Sequence, residues 1–245
     1  MEAVILAGGF GTRLSHIVSD VPKPMAPVVG QPFLKYILDD LIAKDITRAV
    51  MAVGYKKESI MTYFGQSYNG CEIVYSDEDM PLFTGGAMKK ALRKCREEHV
   101  FVINGDTFFD IDLQDMASAH IKNKADLTIA TKEMENFERY GTVIIENGRI
   151  VEFLEKQRTK YGMINGGIYL VKKDLLSFVA EDKFSFETEI MEKKVREMKI
   201  YAFPSKGYFI DIGVPDDYVK AQMDFVVGEQ YEQRSIFRQR RYHKC

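Results

Sequence analysis

Two cations share one short, glycine-rich stretch near the start of the chain. Gly8-Gly9-Phe10-Gly11-Thr12-Arg13-Leu14 is followed by Pro22-Lys23-Pro24. A glycine-rich turn can aim its backbone N–H groups at a phosphate chain, because no Cβ blocks the approach. Arg13 adds a forked, permanently charged donor suited to phosphate oxygens. Lys23 stands before a proline, which pushes a residue toward an extended conformation, so it is expected on a loop and outside any helix. An ammonium fixed beside a phosphate stabilises charge that develops during transfer. A tight strand-to-helix turn and a proline-rich loop would explain the glycines and the prolines separately. They would not explain both cations on one segment. Two other phosphate motifs do not fit. Gly9-Phe10-Gly11 lacks the third glycine of a dinucleotide fingerprint, where Leu14 stands, and no Gly-Lys pair of a Walker loop occurs in the chain.

Two carboxylates could serve the same phosphates. Asp106 ends the run Asn104-Gly105-Asp106 after a buried strand, and Asp211 leaves Phe209-Ile210-Asp211-Ile212-Gly213. Each alone reads equally well as a strand-ending turn. Two carboxylates with phosphate oxygens and waters are the usual way to hold Mg²⁺, so with the glycine loop they read as a metal–nucleotide site. Further on, Glu155-Lys156, Asn165-Gly166-Gly167 and Glu187 supply acid, base and amide groups. Such groups suit sugar hydroxyls and a sugar phosphate, although a surface salt bridge and a turn explain them as well.

The elements that must position these residues follow from periodicity. Val4–Ala7, Ala49–Val53, Ile73–Tyr75 and Val100–Ile103 are strand-like. Between them, helical spacing covers Phe33 to Ile42, Glu58 to Phe64, and Ala87 to Cys95, the last opened by Gly85-Gly86. This β-α-β-α-β-α-β order predicts a mostly parallel sheet with helices on both faces, with ligands bound beyond the carboxyl ends of the strands. After Asp126 the texture changes. Leu127–Thr131, Thr142–Ile145, Ile150–Leu154 and Gly167–Val171 read as short strands, with a turn at Asn147-Gly148, and so as a smaller mixed or antiparallel sheet region. Helices are expected near Glu187 to Glu197 and Asp216 to Val227. With no internal repeat and no linker, one domain is expected over 1–228, split near residue 125, with a basic tail over 229–245.

Composition sets the outer limits. The chain has 245 residues, 46 % hydrophobic and 29 % charged, which is globular and too apolar for general disorder. Its 34 Lys and Arg against 36 Asp and Glu leave a net charge of −2, which argues against nucleic acid as a partner. No apolar run approaches the ~20 residues that span a bilayer, and the start lacks a signal-peptide pattern. Three widely spaced cysteines (Cys71, Cys95, Cys245) form no zinc pattern, so a reducing cytosol is expected.

These motifs, in this order from Met1 to about Val227, resemble the sugar-1-phosphate nucleotidyltransferases. The resemblance rests on the Gly8 to Leu14 loop, Pro22-Lys23-Pro24, Gly85-Gly86-Ala87, Asn104-Gly105-Asp106, Glu155-Lys156, Asn165-Gly166-Gly167 and Asp211-Ile212-Gly213. It implies a Rossmann-like nucleotide-binding core of about residues 1–125 with a smaller sugar-phosphate-binding region. Within the family the chain most resembles the D-glycero-α-D-manno-heptose 1-phosphate guanylyltransferases, through Phe137 to Val143, Ile164 to Tyr169, Phe184 to Glu187 and Tyr208 to Pro215.

The resemblance implies transfer of GMP from GTP to the heptose 1-phosphate, giving GDP-heptose and pyrophosphate for surface polysaccharide synthesis. Mannose-1-phosphate guanylyltransferase and the thymidylyl, uridylyl or cytidylyl enzymes of glucose 1-phosphate are the alternatives, and a non-catalytic sugar-nucleotide sensor is the alternative of another class. The implied nucleotide site is Leu6, Gly8, Gly9, Gly11, Thr12 and Arg13, with Glu78, Gly85 and Gly86 reading the base. Arg13, Lys23 and Asp106 are implied as catalytic, Asp106 and Asp211 as Mg²⁺ ligands. Gly141, Glu155, Lys156 and Asn165 are implied to bind the sugar phosphate. The four histidines need no catalytic role, and a two-fold homodimer is the default assembly. One residue departs from the family pattern: Phe83 stands where glycine is usual, beside the implied base site.

Overall fold

The computed structural model describes residues 1–9, 18, 20–154 and 156–226. Gly11, Thr12, Arg13, Glu155 and the basic tail lie outside the described residues. In chain order the first half holds β1 (Glu2–Leu6), the hairpin β2 (Pro27–Val28) and β3 (Gln31–Pro32), α1 (Phe33–Ala43), β4 (Arg48–Val53), α2 (Lys57–Phe64), β5 (Ser67–Tyr68), β6 (Cys71–Asp77), α3 (Phe83–Leu92), β7 (His99–Asn104), β8 (Thr107–Phe109) and α4 (Leu113–Asn123). The second half adds β9 (Leu127–Phe137), β10 (Thr142–Glu146), β11 (Arg149–Leu154), β12 (Thr159–Lys172), a π-helical turn (Glu187–Glu192), β13 (Ile200–Ser205), β14 (Phe209–Asp211) and α5 (215–226).

Ten strands form one sheet in the order β10-β11-β13-β9-β12-β7-β1-β4-β6-β5. The strands β7, β1, β4 and β6 run parallel, as their alternation with helices requires. β12 then runs antiparallel to both β7 and β9, and carries the sheet without a break into the second half. Successive residues of β1 face opposite sides. Ile5 packs with Phe33, Leu34, Ile60 and Met116 of α1, α2 and α4. Val4 packs on the other side with Met88 of α3 and with Phe186 and Ile190. A strand covered on both faces is apolar throughout, which is why Val4 to Ala7 reads as an unbroken run.

Among the places where the structure departs from the expected elements, three concern helices. α4 is not expected from the sequence, because only Leu113, Met116 and His120 of its residues are buried; its start is fixed by Asp112, which accepts from the Asp115 N–H. The helix expected over Glu187 to Glu197 is a π-helical turn of six residues, Glu187–Glu192, followed by turns. α3 begins at Phe83 and contains both glycines that were expected to precede it. No helix of the described residues is long and apolar enough to cross a membrane.

A charged row closes the amino ends of the parallel strands. Glu2 faces Arg48, and Arg48 faces Glu72, in register. Glu2 is 2 % exposed. It accepts from the Arg48 guanidinium and from the N–H groups of Arg96 and Glu97, at 2.7 and 2.9 Å. Arg96 in turn forks onto Glu72 at 2.9 and 3.0 Å. Glu2→Ala strands Arg48 and two backbone donors. Breaking a buried pair costs about 3–5 kcal/mol, and Glu72 keeps this case near the lower end. At about 2–4 °C per kcal/mol, thermal melting should find the variant some 6–12 °C less stable. Its turnover below melting should be unchanged, since the row lies at the opposite end of the sheet from the crevice.

His120 is wholly buried, with Nδ1 2.8 Å from Thr128 Oγ1 and Nε2 3.1 Å from His99 Nδ1. Burial above all, then His99, lowers its pKa from 6.5 to about 4. The folded protein therefore binds fewer protons than the unfolded chain between those values. Stability held above pH 6.5 is lost as pH falls toward 4, by up to about 1.4 kcal/mol per pH unit. Denaturant unfolding from pH 6.5 to 4.5 should show His120→Gln with a shallower loss than the parent, by up to one proton; equal slopes would contradict this.

Candidate active site

A two-stranded ribbon brings the two expected metal ligands together. β7 ends at Asn104, Gly105 turns the chain, and β8 begins one residue after Asp106. β8 pairs antiparallel with β14, which sets Asp211 opposite Thr107. The Ile212 N–H donates to the Asp106 carbonyl at 3.1 Å and locks the ends of the ribbon. Lys23 then reaches both carboxylates. Its Nζ lies 2.5 Å from Asp106 Oδ2 and 3.4 Å from Asp211 Oδ1.

The backbone of Lys23 differs from the expected extended loop. Lys23 opens a single 3₁₀ turn, Lys23–Met25, closed by the Met25 N–H on the Pro22 carbonyl at 2.8 Å. Pro24 is tolerated there because the first turn of a helix asks no N–H of it. Burial, then the neighbouring Asp106, push the Asp211 carboxyl above the usual range, while Lys23 and the Gly213 N–H pull it back. That N–H donates to Asp211 Oδ1 at 2.7 Å. A Cβ on Gly213 would sit 2.8 Å from the same oxygen and 3.1 Å from Lys23 Nζ, so a side chain there would break into the cluster.

Two cavities flank the cluster. One, of about 610 Å³, is lined by Leu6, Gly8, Gly9, Lys23, Glu78 and Asp106 among others. The second, of about 400 Å³, is bordered by Gly141, Lys156, Asn165 and Asp211, with Arg139 and Tyr140 beside them. Asn104, Ser185 and Glu187 border both. Of the residues expected at the nucleotide, Leu6, Gly8, Gly9 and Glu78 border the first chamber; of those expected at the sugar phosphate, Gly141, Lys156 and Asn165 border the second, and the cluster of Lys23, Asp106 and Asp211 lies between.

Gly85 and Gly86 do not line either chamber. Both are buried where α3 meets the segment 182–184, and both N–H groups donate to the Phe184 carbonyl, at 3.0 and 3.3 Å. A Cβ on Gly85 would lie 2.2 Å from the Phe184 ring, and one on Gly86 2.1 Å from the Asp182 carbonyl. These glycines let α3 approach closely, and so present the preceding Phe83 and Thr84 to the larger chamber. Phe83 holds φ +60°, a left-handed backbone that costs an L side chain roughly 1–2 kcal/mol. In the other chamber Asn165 is held on both sides of its amide, by the Tyr169 hydroxyl at 2.8 Å and the Gly167 N–H at 3.0 Å. Gly167 has φ +74°, at the point where the β12–β9 register shifts.

Glu187, one of the acids suited to a sugar, stands in the chambers together with residues not expected as ligands, Thr84, Arg139 and Tyr140. Glu187 accepts from Thr84 Oγ1 at 2.5 Å and Ser185 Oγ at 2.9 Å, which ties the wall of one chamber to the wall of the other. Arg139 pairs with Asp217 of α5 and lies 5.4 Å from the Tyr140 ring centroid. The Tyr140 phenol is pushed up by burial and by Asp211. The available signals were positional, Thr84 before the glycine pair and Arg139-Tyr140 before Gly141. Among the described residues no group of three or more His, Cys, Asp or Glu could hold a metal alone. Two hard carboxylates with a cation already between them do suit a divalent ion that takes its remaining ligands from phosphates and water.

The nucleotidyl transferase family model matches residues 2–227. The chain is 52 % identical over 225 residues to a D-glycero-alpha-D-manno-heptose 1-phosphate guanylyltransferase of Aneurinibacillus thermoaerophilus, covering 91 % of this chain and 98 % of that one. It is 46 % identical over 220 residues to the protein of the same name from Campylobacter jejuni, covering 89 % and 97 %. Among solved structures, HddC from Yersinia pseudotuberculosis, complexed with GMP-PN, matches with a TM-score of 0.83 and 35 % identity over 91 % of this chain and 99 % of that one. The chain belongs to the nucleotidyl transferase family.

Proposed function

We propose that the protein transfers GMP from GTP to D-glycero-α-D-manno-heptose 1-phosphate, giving GDP-heptose and pyrophosphate. The observation that carries this reading is the meeting of two chambers at one cation and two carboxylates. The names of the relatives and the nucleotide complex of HddC support the choice of base and sugar. The nucleotide takes the larger chamber, with its α-phosphate at Lys23. The sugar 1-phosphate takes the smaller, with its phosphate at Lys156 and its hydroxyls at Gly141 and Asn165. A phosphate oxygen of the sugar forms the new bond to the α-phosphorus, and the bond from that phosphorus to the bridging oxygen of pyrophosphate breaks. The attacking group is already an anion, so no side chain need take a proton from it. The protein positions the partners and offsets charge, chiefly through the Lys23 ammonium. Asp106 and Asp211 would hold Mg²⁺, which neutralises phosphate charge when bound. Two free, buried thiols, Cys71 and Cys95, support a reducing cytosolic setting.

Glu78 supports guanine. Its Oε2 accepts from the Leu82 N–H at 2.9 Å, and the carboxyl borders the larger chamber. Guanine offers adjacent N–H donors on its Watson–Crick edge, at N1 and N2, where adenine has an acceptor at N1 and no amino group at C2. Glu78→Gln should therefore lower the preference for GTP over ATP in kcat/KM by about 5- to 150-fold, the range of one good paired contact. The reading as a whole is tested by pyrophosphate release with Mg²⁺, GTP and the heptose 1-phosphate. ATP, UTP, dTTP and CTP serve as parallel donors, and mannose and glucose 1-phosphates as parallel acceptors. Release should be greatest with GTP and the heptose and should stop on chelation. Faster release with another pair would replace the substrates and keep the chemistry; none in any well would refute it.

A further inference from the structure

We propose that Phe83 is a stacking platform for the nucleotide base and so determines affinity for purine nucleotides. This rests on the reading of the larger chamber as the nucleotide site. Phe83 is the first residue of α3 and holds a left-handed backbone, φ +60°, that glycine adopts without cost. Strain of this kind persists where the surroundings impose it, and it gathers at ligand sites. Core packing does not account for the ring, because the residue is 59 % exposed.

The ring instead borders the larger chamber, beside Leu6, Pro81, Thr84 and Ala87. Lys183 Nζ lies 4.8 Å from the ring centroid. Both partners are fixed by the same backbone clasp: the Phe184 N–H donates to the Leu82 carbonyl at 3.2 Å, and the Gly85 N–H returns to the Phe184 carbonyl at 3.0 Å. A cation can cover only one face of a ring. The other is left to a planar, electron-rich partner, and among the components of a nucleotide only the base is planar and aromatic. Stacking accepts any base, but it grows with ring area, so a purine gains more than a pyrimidine.

The test compares the full chain with Phe83→Gly, Phe83→Leu and Phe83→Tyr. Direct titration with GTP and UTP in Mg²⁺ gives Kd, steady-state turnover separates KM from kcat, and melting reports the strain. The glycine and leucine variants should bind GTP about 5- to 150-fold more weakly, with kcat within about 2-fold of the parent. Their ratio of GTP to UTP affinity should fall, and Phe83→Tyr should bind like the parent. Phe83→Gly should also melt higher, which separates a lost ligand contact from a damaged fold. If the parent binds GTP and Phe83→Gly binds it as tightly or more tightly, the ring crowds the site and the platform is refuted alone. If the parent binds neither nucleotide, the nucleotide reading falls and the platform with it.

Discussion

Two carboxylates drawn together in a half-buried crevice repel each other, and the Lys23 ammonium between Asp106 and Asp211 is what makes their closeness tolerable. Much of the surrounding structure serves that arrangement. The β8–β14 ribbon sets the two acids side by side, and the 3₁₀ turn at Lys23–Met25 delivers the base. Gly213 keeps the space clear and lends an N–H to Asp211. In the proposed reaction the same three groups would change partners when phosphates arrive. The carboxylates would then hold a divalent ion, and the ammonium would turn to the phosphate at which charge develops.

The single sheet explains how two ligands are held in register. Leu6 and Asn104 lie at the carboxyl ends of β1 and β7, and Asn104 borders both chambers. β12 pairs directly with β7, so the strand that carries Asn165 is tied to the strand that leads to Asp106. Glu187 makes a second tie on the opposite side, through Thr84 and Ser185. The charged row of Glu2, Arg48, Glu72 and Arg96 lies at the far end of the strands. Stability and chemistry are thus separated along the strand axis.

What could be read from the sequence follows from how local each feature is. Val100 to Ile103 reads as a strand because burial on both faces makes it apolar throughout. The phosphate-loop glycines, Lys23 and the two aspartates stand out by residue type, and the structure gathers Gly8, Gly9, Lys23 and Asp106 in one chamber. α4 escaped because three buried residues are too few to mark a helical face. The pairing of Asp211 with the strand after Asp106 is non-local and leaves no mark in either segment. Gly85 and Gly86 look like a turn but are small for the sake of the Phe184 ring and the Asp182 carbonyl packed against them. The left-handed backbone at Phe83 is invisible in a side chain that usually avoids it.

The proposed reaction turns on Lys23, which would stabilise the transferring phosphate and not only separate two carboxylates. The most direct measurement is the single-turnover rate of pyrophosphate release by Lys23→Ala with saturating GTP, Mg²⁺ and heptose 1-phosphate, after melting has shown the variant folded. The rate should fall by about 10²–10³, the usual consequence of removing a preorganised electrostatic donor. A rate close to that of the parent would show that Lys23 only neutralises Asp106 and Asp211, and would move the centre of the chemistry elsewhere.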